Sequence, residues 1–148
     1  MVITLELECL ANPFFDDEFK CVFEIYESIT LDELHLHIQK IIEFDNDHMY
    51  EFFTARNPYG KRNVVYCDEE FSFHDNVMSI DETKLLDVFP LEPKESLFYF
   101  FDFGDSWVFK VKRTRHKAKA AEKGMSYPNI IKIVGEKPEQ YPDWEDEE

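Results

Sequence analysis

Period-two alternation of apolar and polar residues constrains this chain more than any other feature. Phe19, Cys21, Phe23 and Ile25 fall on one side of a run whose other side carries Lys20, Val22, Glu24 and Tyr26. Such alternation marks a strand with one face in a core. Residues 2–8 mix Val2, Thr4, Leu5 and Leu7 with Glu6 and Glu8 in the same manner. Turn-forming residues at 11–18, Ala-Asn-Pro-Phe-Phe-Asp-Asp-Glu, separate the two runs. The pair predicts an opening β-hairpin. Trp107-Val-Phe-Lys-Val-Lys112 alternates again, after the β-prone Leu97-Phe-Tyr-Phe-Phe-Asp-Phe103 and a Gly104-Asp105 turn. These predict a second hairpin. His48–Thr54 and Val64–Cys67 read as further strands, parted by the turn Asn57-Pro-Tyr-Gly60.

The period changes between the first hairpin and His48. Thr30-Leu-Asp-Glu33 has the form of a capping box, a threonine at the N-cap and a glutamate three residues on. Leu31, Leu34, Ile38, Ile41 and Ile42 then recur at helical spacing. The spacing predicts a helix over Leu31–Phe44, ended by Asp45-Asn-Asp47. Asp81–Phe89 predicts a short second helix, stopped by Pro90. Residues 68–78 read as irregular. The expected fold is α+β: an antiparallel or mixed sheet built from hairpins, one long helix packed across it, and a ββα opening like that of a β-grasp. The 148 residues fit one domain, with an acidic tail from about 139 to 148.

Charge narrows the function classes. Thirty-two acids oppose 16 bases, a formal net charge of −16. A field of that sign repels phosphate backbones and anionic lipid. Against it stands one inversion: Lys110, Lys112, Arg113, Arg115, Lys117, Lys119 and Lys123 crowd a stretch in which Glu122 is the sole acid. That stretch is either a contact for an anionic partner or a counterweight to acidic surface, such as the segment from Glu136 to Glu148. Three cysteines, Cys9, Cys21 and Cys67, show no CxxC spacing and read as reduced thiols. The beginning of the chain has no basic segment followed by an apolar run, and no apolar run approaches a membrane span. The expected location is the cytoplasm.

Three stretches carry a resemblance. Leu34-His-Leu-His-Ile-Gln-Lys40 with Asp47-His-Met-Tyr-Glu-Phe52 is the first. Tyr99-Phe-Phe-Asp-Phe-Gly-Asp-Ser-Trp107 is the second. Tyr127-Pro128 with Gly135-Glu-Lys-Pro138 is the third. Together they resemble the plasmid pRiA4b ORF-3-like family, also described as a transposon passenger family. The resemblance implies the fold and a mobile-element setting, and it implies no reaction.

The residues that could carry chemistry are few. Asp102-Phe-Gly104 matches the magnesium-binding triplet of protein kinases, but the glycine-rich loop, strand lysine and H-R-D loop are absent. His48, with Asp45, Asp47, Asp102 and Asp105, is the one set that could form an acid–base or metal site. No ligand pair has diagnostic spacing. His35 and His37 lie two apart on the helix and point to different faces, one toward the surface and one partly buried. The expectation is therefore an interaction module, more a binder than an enzyme, with no catalytic residue, no metal and no cofactor assigned. Asp102, Gly104, Asp105, Trp107 and His48 form its candidate hairpin. Lys110, Lys112, Arg113, Arg115, Lys117 and Lys119 are its candidate contacts to an anionic partner. The expected partner is a protein, with nucleic acid reached only through the basic stretch, and no membrane. The alternatives are a small metal-dependent hydrolase using His48 with Asp102 or Asp105, and direct nucleic-acid binding through Lys110–Lys123.

Overall fold

The computed structural model describes residues 1–10, 17–68, 77–103 and 106–140. The elements in chain order are β1 (Val2–Cys9), β2 (Phe19–Tyr26), α1 (Leu31–Ile42), β3 (Tyr50–Ala55), β4 (Arg62–Cys67), β5 (Val77–Ser79), α2 (Leu85–Val88), β6 (Ser96–Phe101), β7 (Trp107–Arg113) and β8 (Asn129–Gly135). The strands form one mixed sheet in the order β5-β4-β3-β6-β7-β1-β2-β8. β4 and β5 pair in parallel, and the other pairs are antiparallel.

Both predicted hairpins are present. In the first, Leu5 opposes Phe23 and Leu7 opposes Cys21. These four side chains are fully buried, while Glu6 and Glu8 on the other face stay partly exposed. In the second, Tyr99 opposes Phe109 and Phe101 opposes Trp107. β1 joins them by pairing with β7, so the two hairpins make one continuous core face. A smaller apolar cluster of Phe53, Ala55, Val65, Cys67, Phe98 and Val108 occupies the other face.

The helix begins as its sequence dictates. Thr30 Oγ1 accepts from the Glu33 amide at 3.2 Å, and Glu33 Oε1 accepts from the Thr30 amide at 3.3 Å. A cap of this kind contributes about 1 kcal/mol. Leu31, Leu34, Ile38, Ile41 and Ile42 join the same core cluster as the sheet. The helix is shorter than expected, however. It has 12 residues, about 18 Å at ~1.5 Å per residue. An eight-stranded sheet is about 34 Å wide at ~4.8 Å per strand, so α1 covers part of it and is not one long helix crossing it. Glu43 turns left-handed, with φ 61°, and ends the helix. That turn drops Phe44 into the core, where its ring lies 5.1 Å from Trp107. The sequence had placed Phe44 as the helix's last residue.

Other differences are local. The second helix is one turn, not the span Asp81–Phe89. β5 lies where the sequence read as irregular. β8 was unexpected. The ββα order stands at the beginning, but β1 is flanked by antiparallel neighbours on both sides. The acidic tail beyond residue 140 lies outside the described residues. Gln140 itself is buried: its Oε1 accepts from the Asp45 amide at 2.6 Å and its Nε2 donates to Asp47 Oδ1 at 2.8 Å.

Candidate functional site

The β3–β6 register assembles the first part of the site. Tyr50 opposes Phe101, so the residues just before β3 and just after β6 meet at one end of the sheet. The Asp102 amide donates to the Met49 carbonyl at 3.0 Å, and the Asp102 carbonyl accepts from the Ser106 amide at 2.7 Å. Asp102 and Ser106 both take left-handed φ values of 58°, as a tight reversal requires. The Asp102 carboxylate is 5% exposed and its Oδ2 lies 3.2 Å from His48 Nε2. His48 is partly exposed, and Asp47 Oδ1 stands 3.6 Å from the same nitrogen. Thus His48 and Asp102 converge. Gly104 and Asp105 lie outside the described residues. Trp107 is fully buried against Phe44 and Phe109, so its ring belongs to the core.

Beside this pair lies a cleft of about 560 Å³. Its lining includes His48, Asn46, Tyr50 and the carboxylates of Asp32, Asp47, Asp68 and Asp81. Among the described residues, no group of three or more His, Cys, Asp or Glu stands together as a metal site. The cysteine thiols are buried as well. Burial pushes Cys9 up to about 12 and Cys21 up to about 11, which removes them as thiolate nucleophiles.

A buried polar network, barely legible in the residue pattern, backs the cleft. His35 is 2% exposed and lies flat on Tyr50, with ring centroids 3.5 Å apart. Its Nδ1 is 2.5 Å from Tyr99 Oη and its Nε2 is 2.6 Å from Asn46 Oδ1. Gln39 Nε2 donates to the same Tyr99 oxygen at 2.8 Å, and Gln39 Oε1 accepts from the Asn46 amide at 2.9 Å. Tyr99 therefore gives its own proton to His35 Nδ1, and the ring carries its hydrogen on Nε2. The Tyr50 hydroxyl donates to Asp32. Burial lowers the pKa of His35 and, with Asp32 beside it, raises that of Tyr50. His37, half-buried, takes no part in this network. The available signal was polar His35 and Gln39 one turn apart, each directly after an apolar residue of the α1 stripe, Leu34 and Ile38.

The basic stretch divides in two. Lys110 and Lys112 on β7 stand opposite Glu8 and Glu6 of β1. Lys119 Nζ lies 2.6 Å from Glu24 Oε2, and this bond holds the Glu24 carboxyl below its usual range. Acids on β1 and β2 thus offset part of the stretch, where the sequence had pointed to the tail. Among the described residues, Arg113, Arg115, Lys117 and Lys123 form no ion pair. Arg113 lines a second cleft of about 470 Å³, with Lys110 and Lys112. Phe89, Pro90, Leu91 and Val111 supply its apolar wall, and Glu95 is the carboxylate among its lining residues.

Comparison with known proteins follows the same outline. The family model described as plasmid pRiA4b ORF-3-like protein matches residues 20–141. Among solved structures, a protein of unknown function from Methanosarcina mazei Go1 is similar, with a TM-score of 0.70 at 22% identity. The match covers 89% of this chain and 68% of that one, and it shows a shared fold. No curated protein matches.

Proposed function

Since this chain belongs to the plasmid pRiA4b ORF-3-like family, we propose that it is a non-enzymatic interaction module, of a family tied to mobile elements, that docks an acidic segment of a protein partner in the cleft beside Arg113. One observation carries this reading. In a chain of net charge −16, the cleft joins the half-buried Phe89 and Leu91 to Arg113, which lies on the face of Leu5 and, among the described residues, forms no ion pair. Charges beyond a Debye length of about 8 Å are screened at physiological salt, so the nearby Arg113 charge governs a docked segment. An apolar side chain would bury against the half-buried Phe89 and Leu91 while a carboxylate met Arg113.

Nucleic acid fits the same surface less well. Binding a phosphate backbone needs several uncommitted Lys or Arg. Lys110 and Lys112 face glutamates, and Lys119 is bonded to Glu24. The four left in the stretch, Arg113, Arg115, Lys117 and Lys123, fall short of the roughly six to ten phosphate contacts of a duplex-binding surface, whereas a docked carboxylate needs one cation.

A second reading rests on the 3.2 Å approach of His48 and Asp102 next to the larger cleft. A buried carboxylate that orients an imidazole is a general-base arrangement. Under this alternative the chain is a small metal-dependent hydrolase using His48 with Asp102.

Affinity capture with the full chain separates these readings. The docking account expects a partner retained by the wild type and depleted about tenfold, near 1.4 kcal/mol, by Arg113→Glu, with a smaller loss for Arg115→Glu. His48→Ala should leave retention unchanged. Equal retention by Arg113→Glu would reject the cleft. Steeply salt-dependent binding to nonspecific DNA would instead favour the nucleic-acid alternative. A melting temperature raised by a divalent cation and unmoved in His48→Ala would favour the hydrolase.

A further inference from the structure

The two edges of the sheet differ. β5 ends one side with 3 residues, and β8 ends the other with 7. A short edge strand offers little backbone to an incoming chain, whereas a long one is a ready template. β8 pairs with β2 on its inner side. Ile130, Ile131 and Ile133 are 43%, 48% and 47% exposed. Among the described residues no strand pairs with the outer side of β8, and three exposed aliphatic side chains there are unusual for a strand whose only role is to close a sheet.

The register determines what could be added. Phe23 opposes Ile130 and Cys21 opposes Ile133, so these isoleucines lie on the core face. Val22 opposes Lys132, which lies on the other face, and the slip between Val22 and Phe23 leaves Ile131 as the extra residue. Lys132 is exposed and, among the described residues, forms no ion pair.

We propose that β8 is a strand-addition site for an extended segment of another protein, aliphatic on either side of an acidic residue. Backbone hydrogen bonds would supply most of the binding. The acid would stand opposite Lys132, and its aliphatic neighbours would turn to the other face, beside Ile130 and Ile133. A second copy of this chain is the poorer occupant. Two β8 strands paired about their centre bring Lys132 against Lys132, and each chain carries a net charge of −16. A central lysine and a bulge are the devices by which edges resist their own kind. The proposal is independent of the Arg113 cleft.

The probe is a labelled, end-blocked peptide of alternating valine and threonine with a central glutamate, against a matched peptide with a central lysine. Fluorescence anisotropy on the full chain should show saturable binding of the first. Its advantage should be about tenfold, the order expected when an attractive charge pair replaces a repulsive one. Lys132→Glu should invert the preference, and Arg113→Glu should leave it intact. Amide exchange should slow within Asn129–Gly135. No binding of either peptide, a preference that Lys132→Glu does not invert, or protection elsewhere would overturn the proposal. So would a concentration-dependent dimer of the unliganded chain in which Asn129–Gly135 is already protected from exchange.

Discussion

Replacing Trp107 by alanine should lower the unfolding free energy by about 3–5 kcal/mol. The ring is fully buried. Phe44 meets it edge-on at 5.1 Å, and Phe109 lies nearly parallel at 6.4 Å. Phe44 reaches this place through the left-handed turn at Glu43, and Phe101 and Phe109 hold its other sides. None of these groups can fill the void without moving the end of α1 or the second hairpin. The cost thus combines lost burial with a cavity that cannot collapse. A urea titration reads it as a lower midpoint at unchanged slope. Trp107→Phe should recover most of the stability and leave partner retention unchanged. A loss below about 1 kcal/mol for Trp107→Ala would contradict this packing, because truncation of a buried aromatic costs several times that.

Mild acid should also destabilise the protein, through His35. Its ring is bonded at both nitrogens as the neutral form, and burial lowers its pKa below the ordinary 6.5. Asn46 and the Asp32 charge oppose that shift and do not reverse it. In the unfolded chain the same ring titrates at its ordinary value. Below pH 6.5 the unfolded state therefore binds more protons than the folded one. The contribution is fully present above that pH and is lost as pH falls toward the folded pKa. His37 acts in the same direction, through burial and then Lys40. Glu24 is lowered from 4.5 and contributes only in stronger acid. Stability should be level around neutrality and fall as pH drops below about 6.5, by up to ~1.4 kcal/mol per pH unit for each proton. His35→Gln should be less stable at neutral pH, with a shallower dependence. A wild-type curve that is flat across this window would show that His35 is not held neutral.

Local signals in the sequence were strong, and the elements that rest on them appear. Thr30 and Glu33 announce the start of α1, and alternation marks both hairpins. Features set by distant partners were not legible. β5 pairs in parallel with β4, a contact no local pattern encodes. In β8 four of the five residues of Ile130-Ile-Lys-Ile-Val134 are β-branched, but no turn and partner run beside them marks a hairpin. Gly135 has φ +82°, and a Cβ there would lie 1.8 Å from the Glu18 carbonyl oxygen. It ends a strand seated closely on β2. The approach of His48 to Asp102 follows from the β3–β6 register, which composition does not fix. The same holds for charge. Lys110 and Lys112 meet Glu8 and Glu6 only because β1 lies beside β7. The His35 network was hidden because a polar residue beside an apolar stripe shows nothing of its partners until Tyr99 and Asn46 are placed.

The central claim is that the Arg113 cleft docks an acidic segment while the His48–Asp102 pair holds the hairpin in place. Backbone amide NMR of the full chain, titrated with a short peptide bearing an aromatic residue between two aspartates, tests it most directly. Docking predicts saturable shifts confined to Phe89–Ser96 and Lys110–Thr114, abolished by Arg113→Glu. Shifts centred on Asn46–Tyr50 and Asp81, or none at any peptide concentration, would contradict it.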